Sequence, residues 1–186
     1  QVKIAIYFIH HFLQFNFQTG LYMEYPRFLV LEASSYQEDA YPVAACWSIG
    51  DGQLKDVLIR PEQEWLKTDA SNEDNQQITR QQLELTGESA LDVVRELSED
   101  VDKQLVYVSE GYLYRHWLGT LYGAFGAEVP FDMAPLSDLF FMSDSELEEE
   151  LENLSSNLLL DLRVPEERVR TLLELYVRLR DSGAIE

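Results

Sequence analysis

Four apolar residues in a row, Phe28-Leu29-Val30-Leu31, run directly into Glu32, Ala33 and Ser34. An apolar run without polar alternation has no face to turn to water, so it predicts a central strand covered on both sides. A strand of that kind needs partners in a sheet and helices packed over it, which restricts the chain to a layered α/β plan. The acid that ends the run is costly to bury unless it is paired, bound to a metal ion or left at the solvent mouth of the sheet. Glu32 therefore marks the rim of a site or the place where a site has been lost.

The rest of the chain supplies the neighbours. Strand one spans 28–33. Strand two covers Pro42 to Ile49 and stops at Gly50-Asp51-Gly52, and strand three runs from Leu54 to Ile59. A Gly-Asp-Gly turn between two apolar runs is a hairpin signal, so three antiparallel strands open the domain. Trp65 and Leu66 stand out from the polar stretch 61–77 as residues that cap the core. A short helix is expected after Ile78-Thr79 and a longer one over 89–97, with Ser89 as N-cap and Leu91, Val94 and Leu97 facing inward. Leu105 to Ser109 reads as a fourth strand. A helix then starts near Tyr112, with Leu113, Tyr114, Trp117 and Leu121 inside, and Pro135 to Phe140 reads as a fifth strand or a short connector. Ser143 and Glu146 form a capping-box pattern ahead of Leu147, Leu151, Leu154 and Leu158. The last helix begins at Pro165, where the missing N–H is tolerated, and ends before Gly183.

Charge narrows the partners. With 34 acidic against 14 basic residues the formal charge is −20, a field that repels polyanions and slows their approach. The acidic run 144–152 reads first as the solvated face of a helix and second as a surface for a basic protein. Arg163, Arg168, Arg170, Arg178 and Arg180 gather near the C-terminus, but they alternate with Glu166, Glu167 and Glu174, which argues for pairing along the helix over an anion-binding strip. Cys46 is the single cysteine, lies in an apolar run and reads as a buried thiol in a reducing compartment, hence a cytoplasmic protein. Residues 1–22 carry Val2, Ile4, Ile6 and Phe8 in alternation. They lack the features of a signal peptide or membrane span, so no membrane association is expected. They read as an extension outside a 23–186 domain starting at Met23, or alternatively as an extra edge strand. No metal role is expected for His10-His11. His116 reads as a helix-packing residue, with a displaced general base as the other reading. The aromatic group Tyr107, Tyr112, Tyr114, Trp117 and Tyr122 reads as core, with base stacking as the other use of such rings. Neither a phosphate loop, a nucleophile motif, a zinc spacing nor a dinucleotide fingerprint is present.

In order and spacing, several segments together resemble the DEDD 3′–5′ exonuclease family of the ribonuclease H-like fold. They are Phe28-Leu29-Val30-Leu31-Glu32-Ala33-Ser34, Pro42-Val43-Ala44-Ala45, Asp51-Gly52-Gln53-Leu54, Leu58-Ile59-Arg60-Pro61, Gln77-Ile78-Thr79-Arg80, Val93-Val94-Arg95-Glu96-Leu97 and Arg170-Thr171-Leu172-Leu173-Glu174-Leu175-Tyr176. The resemblance covers roughly 28–179 and implies a mixed β-sheet with helices on both faces. It also implies a chemistry in which four acids hold two divalent ions beside a His or Tyr base.

The family's acids are mostly missing from the matching positions. Where its first strand ends in Asp-x-Glu, this chain has Glu32 and Ser34. Tyr114 stands where the second strand-to-helix junction brings an Asp. Arg163 and Arg168 stand where the last helix brings a His and, five residues on, an Asp. Glu32 is the sole metal ligand left by this comparison. Glu38, Asp39 and Glu110 are acids near enough in sequence to compensate, while Asp138 matches an acid that is structural in the family. The first expectation is a catalytically degenerate homologue, without cofactor, kept as a module that binds nucleic acid or a basic protein. The second is an active exonuclease on short DNA or RNA, using Mg²⁺ or Mn²⁺ at a site rebuilt around Glu32. A further expectation is that Arg163 or Arg168 pairs with Glu32 and fills the vacated site. The family's habit of dimerising implies a homodimer.

Overall fold

The computed structural model describes residues 24–35, 37, 40–68, 78–109 and 111–185. The expected extension over 1–22, with His10-His11, lies outside the described residues, as do Glu38, Asp39 and Glu110. Strand β1 (Arg27–Ala33) pairs antiparallel with β2 (Pro42–Ser48), which pairs antiparallel with β3 (Leu54–Arg60). The turn between β2 and β3 closes through Gly52 N–H donating to Ile49 O at 2.8 Å, with Gly52 at φ +82°, a conformation that a residue without Cβ adopts freely.

Two short helices follow, α1 (Trp65–Thr68) and α2 (Arg80–Thr86), the second capped by Thr79. Strand β4 (Glu88–Ser89) then leads into α3 (Ala90–Val101), and β5 (Val106–Val108) leads into α4 (Gly111–Gly123). The chain closes with β6 (Met133–Pro135), α5 (Leu136–Phe140), α6 (Asp144–Leu158) and α7 (Pro165–Asp181). The sheet order is β4-β3-β2-β1-β5-β6, with β1 and β5 parallel.

The uninterrupted run in β1 is explained by two cores, one on each face of the sheet. Leu29 and Leu31 pack with residues of α3 and α4, including Val93, Leu97, Trp117, Leu118 and Leu121. Phe28 and Val30, with Cys46 of β2, pack under α5, α6 and α7 against Phe140, Leu151, Val169 and Leu172. Successive strand residues point to opposite faces, so a strand buried on both sides must be apolar at every position.

Three sequence expectations shift. Leu91 is 52% exposed, and α3 instead buries Ala90, Val93, Val94, Leu97 and Val101. Each step of three residues lags a full turn by about 60°, so Leu91 and Leu97 stand about 120° apart around the axis and cannot share one buried stripe. Leu158, at the end of α6, is exposed. Residues 135–140 are neither strand nor simple connector: pairing ends at Pro135, and the chain turns at once into α5. Proline is accommodated there because it ends a strand at the sheet edge.

Candidate functional site

β1 and β5 pair only at Arg27 with Val106 and Phe28 with Tyr107. Beyond Phe28 the two strands part, β5 staying with β6 while β1 stays with β2. Their carboxyl ends therefore lie at the point where the connectivity changes direction, the place where ligands enter open α/β sheets. The backbone groups after Phe28 that face that side of β1, alternate residues of the strand with Leu31 among them, need other partners.

Tyr114 reaches β1 at this point. It comes from the first turn of α4, is 4% exposed and reaches across 83 residues of sequence so that the Leu31 amide donates to its Oη at 3.1 Å. The Ser109 hydroxyl lies 3.4 Å from the same oxygen, and the ring packs against Trp117 at 5.6 Å between centroids. Burial pushes the phenol pKa up; the Ser109 and Leu31 hydrogen bonds and the Arg168 charge oppose it, and Glu32 adds to it. This residue is a neutral wedge in the sheet.

Glu32 stands beside it. It is half-buried, faces Ala44 of β2, and is followed by an irregularity in the β1–β2 register. Burial raises its pKa, with the positive charge of Arg168 acting the other way. Ser34 is buried next to the end of β1. Its hydroxyl accepts the Tyr41 amide at 3.2 Å while its own amide donates to Tyr41 O at 2.8 Å, so it clamps the base of the 34–41 loop.

The two arginines part company. Arg163 is exposed and grips Asp161, with Nε at 2.9 Å from Oδ1 and a terminal nitrogen at 2.7 Å from Oδ2; these bonds hold the Asp161 pKa down to about 2. It does not fill the place expected of it beside Glu32. Arg168 is on the first turn of α7 and donates to Glu148 Oε1 of α6. It does not bond Glu32 either, yet its charge bears on both Glu32 and Tyr114. The sequence reading missed Glu148. The available signal was the capping box, which fixes the phase of α6: with Leu147 and Leu151 turned inward, Glu148 lies at the edge of the buried stripe.

The residues present do not fit a two-metal centre. A divalent ion at Glu32 would meet one carboxylate, a neutral phenol and the like charge of Arg168, where Mg²⁺ wants an octahedral shell of oxygens. Among the described residues no three His, Cys, Asp or Glu gather where a metal ion could be held. His116 contacts Tyr112 edge to face at 4.7 Å, in keeping with a helix-packing residue. Tyr114, Trp117 and Tyr122 are buried and Tyr112 is exposed, so most of the aromatic group is core. Arg170 bonds Glu166, and Arg178 bonds Glu174 at 2.9 Å, each one turn away on α7. These pairs match the pairing read from the sequence. Among the described residues no helix is long and apolar enough to cross a membrane.

No protein-family model matches the chain, and neither does any curated protein. Solved structures do. One chain from the yeast NOT1 MIF4G domain co-crystallized with CAF1 aligns at TM-score 0.55 and 10% identity, over 94% of this chain and 86% of that one. Product-bound exonuclease I aligns at TM-score 0.53 and 11% identity, over 84% of this chain and 45% of that one. The fold is ribonuclease H-like. E. coli exonuclease I in complex with a 5cy-dA13 oligonucleotide aligns at TM-score 0.46 and 11% identity, over 61% of this chain and 29% of that one. The chain thus spans less than half the length of these exonuclease I chains.

Proposed function

We propose that this chain is an exonuclease-like domain that has given up metal-dependent hydrolysis and serves as a binding module. The observation that carries the reading is Tyr114: a buried phenol, bonded to the backbone of β1, stands at the switch point of the sheet where ligands enter open α/β folds. Glu32 alone, disfavoured as an anion by its burial and placed beside Arg168, is a poor anchor for a divalent ion. The partner favoured by charge is a basic protein rather than a nucleic acid. The net charge of −20 works against a polyanion, and Glu149, Glu150 and Glu152 of α6 face solvent. The buried thiol of Cys46 suits a reducing compartment such as the cytoplasm.

The test is 3′–5′ hydrolysis of short single-stranded DNA and RNA with Mg²⁺ or Mn²⁺, run beside Glu32→Ala. No hydrolysis by either protein is the expected result. Hydrolysis by the wild type that disappears in Glu32→Ala would overturn the reading and make Glu32 a metal ligand in a rebuilt site.

A further inference from the structure

The amino ends of β1 and β5 lie at the end of the sheet away from Glu32, and a cavity of about 300 Å³ opens there. Tyr25 and Arg27 line it from the entry to β1, Tyr107 from β5 and Tyr176 from α7, with Leu105 and Leu139 as apolar wall. The β2–β3 turn is shaped around the first two. The Arg27 guanidinium leaves no room for a Cβ at Gly50, and a Cβ at Gly52 would lie 3.2 Å from the Tyr25 ring. The fold itself uses little of Arg27. Its side chain is 14% exposed, and the one hydrogen bond among its five donor hydrogens runs from Nη1 to Tyr25 O at 3.0 Å. Nε is buried without a partner, and Nη2 stands 3.6 Å from the carboxylate of Glu24, a largely exposed side chain. A half-buried cation so short of acceptors is costly until an anion completes it. The hydroxyls of Tyr25, Tyr107 and Tyr176 also make no hydrogen bond to any described residue. Burial raises the phenol pKa of Tyr25, against the charge of Arg180, and that of Tyr107, with Asp138 adding to it, so both are protonated donors at neutral pH.

We propose that this cavity binds a small organic acid, one carboxylate on an aromatic body, with the carboxylate on Arg27 and the phenol hydroxyls and the body against Leu105, Leu139 and the tyrosine rings. A carboxylate matches the planar fork of a guanidinium, and apolar walls with a few converging polar groups are the make-up of small-molecule sites. In a chain of formal charge −20, a single negative charge is accepted more readily than the two of a phosphate ester. Glu24, on the rim, is the internal carboxylate that the ligand displaces. The site is at the other end of the sheet from Glu32, so nucleic-acid hydrolysis would sink the reading above and leave this one standing.

The experiment is titration of the full chain with benzoate at low ionic strength, followed by the chemical shifts of the Arg27, Leu105 and Tyr107 amides. These should move and saturate, while neutral benzamide and doubly charged phenyl phosphate bind more weakly. Arg27→Gln should weaken benzoate binding about tenfold or more, the cost of a lost charge-assisted pair. Glu24→Gln should tighten it, because a competing carboxylate is gone. No saturable shift with benzoate, benzamide binding as well, phenyl phosphate binding better, or no tightening in Glu24→Gln overturns the proposal. Should Arg27→Gln not fold, Tyr176→Phe decides, since it keeps the ring and removes one donor. It should weaken benzoate about threefold, and an unchanged affinity overturns the assignment.

Discussion

Tyr114→Phe isolates the wedge in the sheet. The substitution keeps the ring, and with it the packing against Trp117, and deletes only the oxygen that accepts the Leu31 amide at 3.1 Å. Leu31 is buried in the middle layer, so its N–H is left without a partner and away from water. Stranding a buried donor costs about 1–3 kcal/mol. The Ser109 contact, at 3.4 Å and free to rotate, adds little. A loss of about 2 kcal/mol is expected, which in a domain of this size lowers the melting temperature by roughly 4–8 °C.

Tyr122→Phe is the matched control. Its hydroxyl meets Ser98 Oγ at 3.0 Å, but that serine also donates to Val94 O at 2.6 Å and stays satisfied, so the loss should be under about 1 kcal/mol. Urea unfolding gives both numbers, and native-state hydrogen exchange at the Leu31 amide gives an independent reading, because only Tyr114→Phe should deprotect it. A Tyr114→Phe loss within about 0.5 kcal/mol, with Leu31 still protected, would refute the wedge.

Three further outcomes follow from the same physical arguments. Burial raises the Glu32 pKa, so the folded state holds this proton more tightly than the unfolded chain does. The stability it contributes is fully present below the ordinary carboxylate pKa and is lost as pH rises through the raised value. The stability difference between wild type and Glu32→Gln, followed by urea unfolding from acid to neutral pH, should therefore slope across that window; a flat difference contradicts the burial argument. Leu159 ends α6 at φ +59° with its side chain 91% exposed, so Leu159→Gly should stabilise by about 1 kcal/mol on relief of left-handed strain with little burial lost, and a destabilised variant would show that Leu159 makes a contact in solution. Cys46 is buried at the centre of the sheet and its thiol pKa is pushed up by burial, then by Asp56 and Glu166, so a disulfide reagent should leave it untouched in the native protein and modify it fully in denaturant.

Local chemistry made much of the fold legible. The run Phe28 to Leu31 required two covering layers. Gly52 marked the hairpin, Ser143 with Glu146 set the start of α6, and Pro165 set the start of α7, because each is decided by dihedral preference or by hydrogen bonds within a few residues. Glu32 was legible as a residue at the rim for the same reason: an acid directly after a buried run must sit where the strand leaves the core.

The tertiary structure alone decided what surrounds that acid. The parting of β1 from β5 after Phe28 depends on how the sheet twists and on where β6 docks, and neither is written in the strand itself. Tyr114 finds Leu31 across 83 residues, and Arg168 takes Glu148 across 20 in preference to Glu32. Arg163, five residues earlier and matched to the same kind of position, ends on the surface with Asp161. Spacing along a chain fixes which face of its own element a side chain occupies. Which partner it meets is set by the angle and depth at which two elements pack, and those are properties of the assembled core.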